Sequence, residues 1–406
     1  MLAVLSPGQG SQKPGFLSPW LALPGAEARL RWWSALAGVD LIHLGTAADA
    51  DEIKDTARTQ PLLVAAALLA AEQLPMYDVG LVAGHSVGEL GAAALAEVVP
   101  AEAAITLAGV RGREMAAACA LEPTGMSAVL GGDPDQVIAA IDELGLYPAN
   151  RNGAGQIVAA GSRDALAKFA DQPPARARVV PLQVAGAFHT PYMAPAERAL
   201  AAVAGGVSVA DPARIMLSNL DGAAIIHGRE MLQRLVRQVT APVRWDLCMR
   251  TLRDLGVTAV IELPPAGTLA GLIKRELKGS AQSGSSAPSE GPGAGSGPAP
   301  EILTLNTPDD LPAARDLIAR HGMAPSLEPT PLFRVVVAAD AGMFHPADGL
   351  DEGHQVTIGQ VIGQVITRQG SVEVPAHAAG VLTEWLAHYD DPVAPGQPVA
   401  RIGGPQ

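Results

Sequence analysis

The chain is poor in several things, and each shortage excludes something. Of 406 residues, two are cysteine and 3% are aromatic, and no lysine follows Lys278. Cys119 and Cys248 stand in neither a CxxC nor a CxH spacing. A disulfide framework and a zinc motif are therefore not expected, and a reducing, cytoplasmic setting fits. With so few aromatics the core must be built from Ala, Leu and Val, which the 48% hydrophobic content supplies. Basic residues are outnumbered, 28 Lys and Arg against 41 Asp and Glu, for a net charge of −13. Nucleic acid is not an expected partner, because phosphate contacts need clustered Lys and Arg. Long apolar runs are missing too. "PLLVAAALLAA" (61–71) falls well short of the ~20 residues that span a bilayer. No membrane partner is expected, and the run reads as a buried helix starting at Pro61. "MLAVLSPGQG" lacks a basic n-region and breaks at Pro7, so it does not read as a secretory signal.

What is present is an alternation. "MLAVLSP", "DVGLVAG" and "VTAVIEL" are short β-like runs, separated by Ala-rich stretches at 56–74 and 101–119 with helical composition. Strands alternating with helices indicate an α/β fold with a mostly parallel sheet. Residues 125–188 change rhythm to β-α-β-β-α-β, the order of a ferredoxin-like subdomain. Residues 279–300 are low in complexity and read as a flexible surface loop. The strand and helix expected over 301–322 are assigned back to the large domain, giving a first domain of 1–322. A Pro-rich seam at 323–331 then leads to a β-rich tail, 332–406. Within the tail "VTIGQVI" (356–362) and "VAPGQPV" (393–399) share Val-x-x-Gly-Gln-x-(Ile/Val), so a duplicated strand–turn–strand unit closing into a small β-sandwich is expected.

The chemistry begins with "LVAGHSVGEL" (81–90). GxSxG after an apolar strand and before a helix can hold a Ser hydroxyl at a sharp turn, with the next N–H aimed at a developing oxyanion. In a chain with 44 glycines the same five residues also arise with Ser86 merely small. A weak hydroxyl needs a base. His189 in "VAGAFHTPYM" follows an apolar strand, at a strand end where sites tend to lie, although spacing alone does not pair it with Ser86. Arg111 interrupts an apolar helix, either as a solvated neighbour of Arg113 or as a fork for a substrate carboxylate.

"PGQGSQ" (7–12), "QP" (60–61), "GHSVGE" (84–89), "VRGREM" (110–115), "NRNGAGQIVAAG" (150–161), "AFHTPYM" (187–193), "APVRW" (241–245) and "ELPPAGTLAGLIKREL" (262–277) occur in the order found in bacterial malonyl-CoA:acyl-carrier-protein transacylases. Over 1–322 the chain resembles that family. The resemblance implies an α/β-hydrolase-like large domain with the ferredoxin-like insert. It also implies a ping-pong transfer of malonyl from malonyl-CoA to the phosphopantetheine thiol of acyl carrier protein, without a cofactor. Ser86 would be the nucleophile and His189 the base, with the N–H groups of Gln9 and Val87 as oxyanion hole. Arg111 would pair with the free malonyl carboxylate, and Gln60, Met115 and Asn152 would line the pocket. Phe188 resembles the malonyl-selective form, and the carbonyl of Arg244 would orient His189. Ala154 stands where many relatives carry Pro. Polyketide or malonate decarboxylase acyltransfer, and plain serine hydrolysis, are the alternatives. Lys168, Arg176, Arg178, Lys274 and Arg275 are candidate contacts for an acidic carrier.

The tail resembles a biotinyl/lipoyl-type carrier domain. Gln369 takes the place of the modified lysine, and with no lysine beyond 278 neither biotin nor lipoate attachment is expected. A structural or docking role is the expectation.

Overall fold

The computed structural model describes residues 1–283, 299–322, 333–376 and 379–403. The low-complexity expectation for 279–300 and the seam at 323–331 therefore fall largely or wholly outside the described residues. The chain divides into two units, Met1–Ala324 and Pro325–Gln406, each of which is described by itself.

The first unit is mixed α/β. Its six-stranded sheet runs, edge to edge, Glu301–Thr304, Ala259–Glu262, Leu2–Ser6, Leu81–Gly84, Ile215–Leu217, Ala224–Ile225. All neighbouring pairs are parallel except the last. The strand Leu2–Ser6 is buried along its whole length, and so is Leu81–Gly84. This explains why they read as unbroken apolar runs rather than alternating ones. The chain leaves the central strand Leu2–Ser6 toward one side through Leu81–Gly84 and toward the other through Ala259–Glu262. A crevice at the carboxyl ends of such strands is where open α/β sheets bind ligands.

Helices pack against the sheet through Ala and Leu. Gly109 and Gly112, on the helix Ala101–Cys119, allow close approach: a Cβ there would lie 2.6 Å from Ala37 O and 2.8 Å from Thr56 O. Pro61 does not begin its helix. The helix is Thr56–Ala71, capped by Asp55, whose carboxylate accepts the Ala57 N–H at 2.8 Å, and Pro61 lies inside its second turn. The signal for the true start was the Asp before Thr56, a good N-cap residue. Among the described residues no helix is long and apolar enough to cross a membrane.

A second sheet within this unit orders its strands Tyr147–Gly153, Gln156–Ser162, Thr124–Gly131, Ala177–Pro181, all antiparallel. Helices Pro134–Glu143 and Arg163–Asp171 fall between them in the chain, giving β-α-β-β-α-β. Their inward faces cover the sheet with Val137, Ile141, Leu166 and Phe169.

The second unit holds two four-stranded antiparallel sheets. One contains Phe333–Val337, Pro398–Gly403, Gly380–Trp385 and Gln355–Val356. The other contains Gly370–Pro375, Val361–Thr367, Gly342–Pro346 and Asp391–Val393. Phe344, Ile362, Val365, Leu382, Val399 and Ile402 fill its core. The sequence repeat has a physical basis. Gly359 and Gly396 adopt φ of 82° and 80°. Gln360 and Gln397 each turn a side-chain oxygen back onto a backbone N–H three residues earlier, that of Thr357 and of Ala394, at 3.0 Å.

The turn after Leu81–Gly84 depends on two glycines. A Cβ on Gly84 would sit 2.1 Å from Gly88 O, and one on Gly88 would sit 2.2 Å from Ser6 O. Both obstacles are backbone, which cannot step aside as a flexible side chain can. Gly84→Ala is expected to cost about 3 kcal/mol, read as a lowered urea midpoint; an unchanged midpoint would show that the turn has slack.

Candidate active site

Ser86 occupies that turn with φ of +53°, a left-handed conformation unusual for a non-glycine residue. His189 shares the feature at +58°. Strain of this kind persists where surrounding contacts over-determine the backbone, and it gathers at functional sites. The helix Gly88–Leu95 begins just after Ser86, with Val87 as its N-cap. Among the described residues, neither the Val87 N–H nor the Gln9 N–H is engaged by a protein acceptor. Gln9 is half-buried in the loop that follows the neighbouring strand Leu2–Ser6. That loop is pressed against the turn, since a Cβ on Gly8 would lie 2.7 Å from His85 O.

Ser86 and His189 do meet. Their Oγ and Nε2 lie 2.7 Å apart. On the far side of the ring, Nδ1–H donates to the carbonyl of Gln238 at 2.8 Å. A donor at Nδ1 leaves Nε2 bare, so Nε2 accepts the serine hydroxyl. The expectation that Arg244 supplies this carbonyl is corrected. Arg244 is the N-cap of the helix Trp245–Asp254, and its carbonyl accepts the N–H groups of Leu247 and Cys248 at 3.1 and 3.2 Å. Gln238 lies just past the helix Gly228–Arg237, where its carbonyl meets the Ala241 N–H only at 3.4 Å and keeps a lone pair open to His189.

Arg111 is 2% exposed. Its guanidinium donates to Gln60 Oε1 at 2.6 Å and Gln238 Oε1 at 2.8 Å, and one nitrogen is 3.4 Å from Ser86 Oγ. Gln60 turns its other end to the Met115 sulfur, 3.5 Å away. Gln60, Met115 and Arg111 are therefore brought together, and Arg111 is not the solvated neighbour of Arg113. Phe188 is buried immediately before His189. Asn152 reaches the group indirectly: its Oδ1 accepts from His85 Nε2 at 2.9 Å, and its Nδ2 donates to Gln156. The ring of His85 packs edge-on against Trp245. Lys168, Arg176, Arg178, Lys274 and Arg275 are exposed.

Three residues complete the arrangement. Asn219 Oδ1 accepts the Ser86 N–H at 2.9 Å, and its Nδ2 donates to Gly84 O at 2.7 Å. Gln238 Nε2 donates to Ser86 O at 2.9 Å and to the Glu89 carboxylate. The other Glu89 oxygen accepts the Asn219 N–H at 2.6 Å. Asn219 follows the strand Ile215–Leu217 in "LSNLDG", a polar residue at a carboxyl strand end, which was the available signal. Gln238 had none.

The electrostatics follow from burial around one cation. Burial, then the Arg111 charge, depress the His189 pKa to about 3. Burial lowers Arg111 to about 10 despite the opposing pull of Glu89. Burial lifts Glu89 to about 7 against the N–H donors of Asn219 and Gln238 and the charges of Arg111 and Arg234. The arrangement thus offers a half-buried hydroxyl, a neutral imidazole, two N–H groups without a protein acceptor among the described residues and a buried cation. Among the described residues no group of three or more His, Cys, Asp or Glu could hold a metal ion.

Because the native pKa of His189 lies below the 6.5 of a free imidazole, the folded state resists its protonation. The associated stability is complete above pH 6.5 and is lost as pH falls toward about 3. Imidazole-resolved NMR is expected to find His189 neutral at pH 5. A His189 midpoint near 6.5 would contradict the buried geometry.

Comparison with known proteins agrees with this chemistry. The family model described as "Acyl transferase domain" matches residues 5–293. The malonyl CoA-acyl carrier protein transacylase of Mycobacterium bovis is 56% identical over 284 residues, 69% of this chain and 94% of the relative. That of Mycolicibacterium smegmatis is 55% identical, over 65% of this chain and 93% of its own length. The crystal structure of MCAT from Mycobacterium tuberculosis superposes with a TM-score of 0.71 at 50% identity, covering 78% of this chain and 99% of that one. The Ser–His–Arg cluster and these likenesses lead to one conclusion: the chain belongs to the acyl transferase family, among its malonyl-CoA:acyl-carrier-protein transacylases.

Proposed function

We propose that this chain moves the malonyl group from malonyl-CoA to the phosphopantetheine thiol of acyl carrier protein through an ester on Ser86, supplying fatty acid synthesis. The observation that carries the reading is Arg111, a buried guanidinium whose nitrogen is 3.4 Å from the Ser86 hydroxyl. Simple hydrolysis has no use for a buried cation beside its nucleophile. An acyl group ending in a carboxylate does, because a guanidinium fork matches it in shape and charge.

The steps follow from the distances. His189 Nε2 takes the Ser86 hydroxyl proton as Oγ attacks the thioester carbonyl. The oxyanion lodges against the Val87 and Gln9 N–H groups. The carbon–sulfur bond breaks, and His189 returns the proton to the departing sulfur of coenzyme A. The carrier thiol then gives its proton to His189 and attacks the ester, and Oγ leaves with that proton. Thioester, ester and thioester are close in energy. The protein's task is to position groups, with no step that calls for a metal or redox group. Gln60 and Met115 flank the Arg111 end of the pocket, Phe188 adds bulk beside the base, and Asn152 steadies His85 under the turn. The exposed cations Lys168, Arg176, Arg178, Lys274 and Arg275 offer an acidic carrier a surface, in keeping with a cytoplasmic partner.

For the first unit we read an α/β-hydrolase-like sheet with a ferredoxin-like insert. For the second we read a barrel-sandwich of the biotinyl/lipoyl kind. Two four-stranded sheets, the internal repeat and a tight hairpin support the latter. Its turn residues Arg368 and Gln369 join Val361–Thr367 to Gly370–Pro375. Gln369 carries no amine to acylate, so this unit serves as a structural or docking module over 332–406.

Intact mass after mixing with malonyl-CoA is expected to show one malonyl adduct. It should be absent in Ser86→Ala and discharged by acyl carrier protein. An unmodified wild-type chain would sink the reading. Arg111→Ala should slow malonyl transfer about 100-fold, the equivalent of ~3 kcal/mol. Acetyl transfer should be kept or raised, since the charge depressing His189 is gone. Equal losses would make Arg111 structural. Removal of 332–406 should leave the malonyl transfer rate largely intact; collapse of the rate would give that unit a part in catalysis or folding.

A further inference from the structure

Glu89 belongs to no step above, yet it lies beneath them. It is 1% exposed, in the first turn of the helix behind Ser86. Both carboxylate oxygens are filled by N–H donors, one from the Asn219 backbone and one from the Gln238 carboxamide. An ionised carboxylate can only accept hydrogen bonds, and a guanidinium can only donate. The Gln238 carboxamide sits between the two. Its NH2 must therefore face Glu89, and its oxygen must face Arg111, where it accepts at 2.8 Å. The same NH2 also meets two neutral acceptors, Ser86 O at 2.9 Å and Asn219 Oδ1 at 3.3 Å, so Glu89 supplies the charged acceptor among its ties, and loss of that strongest tie favours turning the amide over. Its NH2 would then meet the guanidinium, donor against donor.

We propose that Glu89 is a positioning residue for carboxylate-bearing acyl groups: by fixing the sense of the Gln238 carboxamide it holds Arg111 at the Ser86 hydroxyl. The inference rests on the malonyl-transfer reading. Glu89 touches neither substrate nor reacting atoms and acts through Gln238. The second Glu89 oxygen, on the Asn219 N–H, ties the same carboxylate to the residue that receives the Ser86 N–H.

The substitution Glu89→Gln keeps size and shape. Its carboxamide oxygen can retain the Asn219 N–H, while its NH2 faces the Gln238 NH2 and drives that amide to turn. The assay is the rate of adduct formation by mass, at about pH 8, where Glu89 is ionised, with malonyl-CoA and acetyl-CoA in parallel. The wild type comes first, and absence of its malonyl adduct would be a failure of the functional reading, not of this one. Given that adduct, Glu89→Gln is expected to lower the malonyl rate about 100-fold, the scale on which a misplaced group costs rate. Acetyl transfer, which makes no use of Arg111, should change only a few-fold. Gln238→Ala, which also releases the Ser86 carbonyl, should lower both rates and the malonyl rate more, and the double variant should lose no more than Gln238→Ala alone. Equal losses on both substrates, no loss, or additive losses in the double variant would overturn the proposal. If Glu89→Gln yields no folded protein, as judged by its melting transition, Glu89→Asp, which keeps the charge but withdraws the carboxylate from Gln238, takes its place: a malonyl-selective loss is expected, and equal losses on both substrates would overturn the proposal.

Discussion

One glutamine holds the two halves of the chemistry together. The main-chain oxygen of Gln238 fixes which nitrogen of His189 is bare, and its carboxamide oxygen braces Arg111. The base and the cation are thus set by atoms of a single residue, so their separation cannot drift independently. The residue can do this because it lies just beyond a helix end, where its carbonyl takes a long bond from the Ala241 N–H and can still accept a second donor. Its side chain, 152 positions away from Ser86 in sequence, also donates to the Ser86 carbonyl and steadies the strained turn.

The turn shows how little freedom the backbone has here. Gly84 and Gly88 are spaced so that strand, turn and helix touch through main-chain atoms, with Ser6 O among the contacts. The neighbouring strand Leu2–Ser6 therefore does two things. It pairs with Leu81–Gly84 in parallel register, and it delivers the Gln9 loop to the same corner. Packing density and catalytic geometry are one requirement at this point.

What could be read from the sequence was what local pattern encodes. Ser86, His189 and Arg111 stand in or beside apolar elements, where a polar residue is conspicuous, and Gln60 falls on a long apolar helix. The parallel sheet was legible in its unbroken apolar strands, and the tail's duplication in two matching Gly-Gln turns. Gln238 and Asn219 were not legible, because "VRQVTAPVRW" and "LSNLDG" have no periodicity that singles out one residue. Their contacts also bridge segments more than a hundred positions apart. The two misread positions have the same origin. Pro61 suits a helix start, yet Asp55 caps the helix earlier. The family resemblance points to the Arg244 carbonyl, yet the helix after it claims that oxygen. Both concern helix ends, where hydrogen bonding is decided by which groups remain unpaired.

The immediate neighbours of the Arg111 guanidinium are neutral: two carboxamides and a hydroxyl. The nearest internal carboxylate, Glu89, is kept one amide away. The site thus resembles a miniature anion exchanger, in which a fixed cation touches dipoles and its one carboxylate influence, Glu89, acts from beyond an amide. An acyl chain that brings its own carboxylate displaces no internal partner on entry. An uncharged acyl chain of the same length leaves the cation with dipoles alone. On the proposed reading, discrimination between the two would reside in the unloaded site, before any bond to Ser86 forms.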